Sequence, residues 1–153
     1  MELKNNISKI KELIENTITF EKAEKAKIDF INAMLKNNEF SIIPYEYEQF
    51  LVLSNGLIAL PCELYGTETI NRQEYNYKFP NIIDANKVFI ENKNPLMKNR
   101  VMLGTIAFDI IIFDANDNKF KILNRFNFET IETFSSFNNI LDYIVNFKEQ
   151  NNA

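Results

Sequence analysis

The sequence predicts an α+β fold, with N-terminal helices and a C-terminal helix packed on a mainly antiparallel sheet, in one domain over 1–153. Three observations carry this. Apolar residues recur at helical spacing through the first third of the chain. Two apolar runs, Phe108 to Phe113 and Phe120 to Leu123, flank an Asx-rich turn, which is the pattern of a hairpin. A last helical stripe, Ile140, Leu141, Ile144, Val145 and Phe147, closes the chain. Helices and strands are segregated, without the βαβ alternation of a nucleotide-binding sheet.

Leu3, Ile7, Ile10 and Ile14 place one helix in 1–18. Ala23, Ala26, Phe30, Ile31 and Met34 form a second stripe, ending near Asn37-Asn38. Ile43-Pro44 opens a third helix, because proline suits the first helical position. Glu46 and Glu48 suit the positive end of its dipole, and Tyr47, Phe50 and Leu51 line one face. Asn55-Gly56 reads as its stop, since glycine accepts a left-handed C-cap. Leu57 to Tyr65 reads as a short strand, broken or bulged at Pro61. Residues 67–80, with Tyr75, Tyr77 and Phe79 alternating, read as a strand or a long ordered loop. Asn81 caps a short helix holding Ile82, Ile83, Val88 and Phe89. Arg100 to Leu103 is a strand ending at Gly104. Phe108 to Phe113 is a buried strand, and Asp114 to Asn118 is the turn to its return strand. Alternation from Phe126 to Phe134 gives at least one short strand, and Ser135 or Ser136 caps the final helix.

The composition excludes several chemistries. There is no His and only one Cys, so no Ser-His-Asp triad, Cys-His dyad or ordinary zinc site can be built within the chain. Cys62 lies in an apolar run and reads as a buried thiol. Asp114, Asn116 and Asn118 start a calcium-loop pattern, but Lys119 and Arg125 stand where it needs Gly and Glu. The pairs Glu46/Glu48 and Glu129/Glu132 are expected by chance among 21 acidic residues. Three scattered glycines cannot form a phosphate loop, and a net charge of −4 disfavours nucleic acid as a partner. No apolar stretch is long enough for a membrane span or resembles a signal segment. The expectation is a cytoplasmic, non-catalytic protein that needs no metal or cofactor.

An ordered set of motifs carries a family resemblance: Ile43-Pro44, Tyr47, Phe50-Leu51, Asn55-Gly56 and Leu64-Tyr65-Gly66, then Leu103-Gly104 with Asp109 in the following strand, and Phe134-Ser135-Ser136-Phe137 with Leu141. The set resembles the SUKH superfamily (Smi/Knr type), most of all its YrhA-like branch, over roughly 20–147. Leu57 stands where the family often has a second glycine, and the chain has no Trp. The resemblance implies a SUKH-like protein-binding domain in which Pro44, Tyr47, Phe50, Leu51, Asn55, Gly56, Gly66, Gly104 and Asp109 are structural. It further implies a likeness to bacterial immunity proteins, which bind and neutralise a cognate toxin domain. A regulatory or scaffold domain of the same fold, binding a housekeeping partner, is the alternative.

Glu63, Tyr65, Glu68, Glu74, Tyr75 and Tyr77 interleave tyrosine and acid in one region. Such a face suits a protein partner with a basic surface, for example a nuclease toxin with a positive cleft. Replacing Glu68 and Glu74 by Lys is then expected to weaken binding.

Overall fold

A computed structural model describes residues 2–73 and 76–151. The chain runs α1 (Glu2–Leu13), β1 (Ile18–Thr19), α2 (Lys25–Asn37), α3 (Tyr45–Leu51), β2 (Leu57–Ala59), β3 (Cys62–Leu64), β4 (Ile70–Arg72), β5 (Tyr77–Phe79), α4 (Ile82–Asn92), β6 (Arg100–Ile106), β7 (Asp109–Asp114), β8 (Lys119–Leu123), β9 (Thr130–Phe134) and α5 (Phe137–Asn151). Seven strands form a sheet in the order β1-β2-β3-β6-β7-β8-β9, and β4 pairs with β5 apart from it. Every pairing is antiparallel. The fold is the expected α+β class.

Strand β7, between β6 and β8, is buried on both faces, so its apolar run is continuous. Its register places Phe113 beside Phe120 and Ile111 beside Ile122. Phe120 meets Phe137, the first residue of α5, with ring centroids 5.7 Å apart, and α1 packs along α5. Phe137 also touches Tyr47 and Phe50 of α3, joining sheet, α3 and α5 in one aromatic cluster.

Strand β6 runs beyond its register with β3, which ends at Gly104; past it, Tyr65 N donates to Leu103 O at 2.8 Å and Ser41 N to Arg100 O at 3.1 Å. Side chains continue the pairing. The Asn86 side chain of α4 accepts from Met102 N at 2.9 Å and donates to Met102 O at 2.9 Å. The Tyr47 hydroxyl donates its one proton to Tyr65 O at 2.5 Å, with Leu103 O at 3.2 Å as a weaker second acceptor. Burial pushes its phenol well above the ordinary value, so it remains a donor. Tyr47→Phe is expected to cost about 1–3 kcal/mol in a denaturant titration, the cost of buried polar groups losing a partner.

Several elements differ from the sequence reading. The buried stripe of α2 is Ile28, Ile31 and Leu35, while Phe30 points to solvent. Pro44 is the N-cap of α3, one position before the helix. That helix ends at Leu51, and Asn55-Gly56 form the turn into β2. There Asn55 bonds to Thr67 and Gly56 takes φ +110, which a side chain would strain. The interruption expected at Pro61 is a full turn: Leu57 to Tyr65 holds the hairpin β2–β3, turning at Leu60-Pro61. Strand β6 runs through Gly104 with an irregularity between Met102 and Gly104. A Cβ at Gly104 would sit 2.1 Å from Glu63 O, so the crossing with β3 admits only glycine. Residues 67–80 contain β4 and β5.

Candidate functional site

An open cleft of about 650 Å³ lies at the β1 edge of the sheet. The register builds it. Ile18, Ile58 and Glu63 are cross-strand partners on β1, β2 and β3, so their side chains share one face. Ile18, Ile58 and Leu60 give an apolar lining, and the β4–β5 hairpin contributes Arg72 and Tyr77. The Tyr77 hydroxyl donates to Glu63 Oε2. Partial burial, then that hydrogen bond and the Glu63 charge, push the Tyr77 phenol up, so it stays a donor at neutral pH.

The predicted residues are not all brought together. Glu63 and Tyr77 meet in this cleft. Tyr65, at 5% exposure, is buried rather than offered to a partner. Its ring packs on Phe79. Burial and the nearby Glu63 charge raise its phenol to about 12. Glu68 pairs with Lys27 of α2 and lines a different hollow with Phe30 and Asp84. Glu74 and Tyr75 lie outside the described residues.

Two carboxylates differ from their sequence reading in burial. Asp109 starts β7 and is only half-buried. Among the described residues the buried carboxylate is Asp114, at the other end of that strand, which reads in sequence as a turn residue. It pairs with Arg100 Nε and Lys121 Nζ, both at 3.0 Å, and accepts from Asn116 N at 2.9 Å. Cys62 is fully buried, and burial raises its thiol far above the range in which a thiolate forms at neutral pH.

Chemically, the cleft presents a carboxylate fixed by a tyrosine beside apolar side chains. That arrangement can receive a donor or cation carried on an apolar stem. Among the described residues, no group of three or more acidic or sulfur ligands is placed to hold a metal ion, and no helix is long and apolar enough to cross a membrane. No protein-family model matches the chain, and no curated protein matches its sequence.

Proposed function

We propose that this chain is a non-catalytic protein-binding module, resembling the bacterial immunity proteins that bind and neutralise a cognate toxin domain. The observation that carries the reading is the cleft, where Glu63, held by Tyr77, stands beside Ile18, Ile58 and Leu60. A basic side chain of a partner can lay its stem on the apolar lining and its charge on Glu63. The polar groups buried elsewhere are already engaged: Tyr47 and Asn86 satisfy backbone, and Asp114 is ion-paired. The motif resemblance points to the same class.

The test is capture of the tagged chain from its own cells, identification of a stoichiometric protein, and calorimetry on the purified pair. A partner with secreted-toxin architecture is expected. Glu63→Lys is expected to weaken its binding on the order of tenfold, ~1.4 kcal/mol. A housekeeping partner would replace the immunity reading by the regulatory one. Absence of any stoichiometric protein partner would end the protein-binding reading.

A further inference from the structure

We propose that the three turns at one end of the main sheet, β2–β3, β6–β7 and β8–β9, form a row of apolar contact residues, Leu60, Phe108 and Phe126, that seats in an apolar hollow with a basic rim on a protein partner. This deepens the protein-binding reading and rests on it. The register brings the turns together. Cys62 faces Ile106, Ile106 faces Asp109, Ile110 faces Leu123, and Leu123 faces Thr130. Ala107 N donates to Pro61 O at 2.9 Å, joining the first two turns directly. Successive turns are two strand spacings apart, about 10 Å, so the row spans roughly 20 Å.

Each turn exposes one large apolar side chain at its tip: Leu60 at 63%, Phe108 at 77% and Phe126 at 87%. Two phenylalanines that exposed contribute little to the fold, and three large apolar side chains exposed along one end of a sheet mark an interaction surface. The β8–β9 turn is also held in shape. Asn124 Oδ1 accepts from Phe126 N at 2.8 Å, and Asn124 N donates to Glu129 O at 2.8 Å. Phe126 is therefore presented on an ordered loop, which lowers the ordering cost of binding. Leu60 also lines the cleft with Glu63, so row and cleft are continuous.

Charge selects the kind of partner. The turns and their flanking residues carry Glu63, Asp109 and Glu129 against Arg125, and the adjoining cleft adds Arg72 of β4, which leaves the surround acidic by one charge. Beside Leu60, Glu15 and Lys148 offset each other. Two copies docked through this row would oppose like carboxylates, and an anionic lipid surface would repel them. A protein with a basic rim complements both the apolar tips and their acidic surround.

The experiment places the photo-crosslinker p-benzoylphenylalanine at position 108 or 126, and at 30 or 88 as exposed apolar controls, in the full chain in its own cells. Mass spectrometry reads the adducts. Crosslinks from 108 and 126, and not from 30 or 88, should converge on the protein captured by the tagged chain. With that protein purified, the triple variant Leu60→Ser/Phe108→Ser/Phe126→Ser should raise Kd about a hundredfold, and Phe30→Ser/Val88→Ser should leave it unchanged. A captured partner whose affinity is indifferent to the triple variant overturns the row and leaves the protein-binding reading standing. Adducts only with lipid, together with binding to phosphatidylcholine/phosphatidylserine vesicles that the triple variant loses, overturn it in favour of a membrane. Adducts only between copies of the chain overturn it in favour of self-association. No adduct and no captured partner overturn both the row and the reading beneath it.

Discussion

Asp114→Ala is expected to lower stability at neutral pH by about 3 kcal/mol, the lower end of the range for removing one partner of a buried ion pair. The carboxylate is 3% exposed and accepts from Arg100, Lys121 and Asn116. Its loss strands two cations that are themselves mostly buried. The lower end applies because Lys121 keeps Asp117 at 2.8 Å and Arg100 retains some access to water. Burial alone would raise the Asp114 carboxyl, but hydrogen bonds from Lys121 and Asn116 and the charge of Arg100 outweigh it and hold it below the ordinary 3.8. A folded-state value below the unfolded one means the stabilisation is present above 3.8 and is lost as pH falls through the folded value. Urea titrations of the native protein and Asp114→Asn should therefore differ most at neutral pH and converge in acid below 3.8. A gap that persists unchanged into acid would assign the stabilisation to shape rather than to the ionised carboxylate.

That ion pair also shows where sequence reading reaches its limit. Arg100, Asp114 and Lys121 are separated by 14 and 7 residues. Only the antiparallel register, Arg100 opposite Asp114 and Lys121 one diagonal step away, makes them neighbours. Along the chain, Asp114 opens an Asx-rich turn and Asp109 touches an apolar run, so local pattern favours the wrong carboxylate. The hairpin itself was legible because both of its signals are local: apolar runs of strand length and a turn of Asp and Asn. The closing helix was legible for the same reason, and Ser136 Oγ accepts from Asn139 N as its cap position predicts.

The misread elements had ambiguous local signals. In α2, Phe30 and Ile31 are adjacent, and a short window allows either to lead the buried stripe; packing buries Ile31 and leaves Phe30 out. The β2–β3 hairpin hides in a mostly apolar run: Pro61 signals an interruption, but the other turn residue, Leu60, is itself apolar and exposed, so the interruption does not read as a turn. The site was half legible. Glu63 and Tyr77 were both singled out, but composition groups residues by proximity in sequence, whereas the sheet buries Tyr65 and the α2 ion pair draws Glu68 elsewhere. The apolar row was not legible at all. Leu60, Phe108 and Phe126 each look like core residues until the register puts all three at turn tips.

The other large effect is expected at Phe137, where alanine should cost about 4 kcal/mol, within the range for emptying a buried phenylalanine site. Phe137 is 1% exposed, and its ring meets three others: Tyr47 edge-on at 5.1 Å, Phe50 at 5.2 Å and Phe120 at 5.7 Å. Those rings belong to α3 and β8, so a void there has rigid walls on different elements and cannot close by moving one of them. The position also starts α5, so the loss should loosen that helix as well as the cluster. Amide exchange in α5 and α3 should accelerate together, while exchange in the β7–β8 hairpin changes least. Phe126→Ala supplies the comparison: at 87% exposure it should stay within about 0.5 kcal/mol of the native protein. Matching losses at the two positions would mean that Phe126 packs against the fold, and would remove it from the contact row. A loss at Phe137 alone separates the aromatic ring that holds α5 to the sheet from the one left free for a partner.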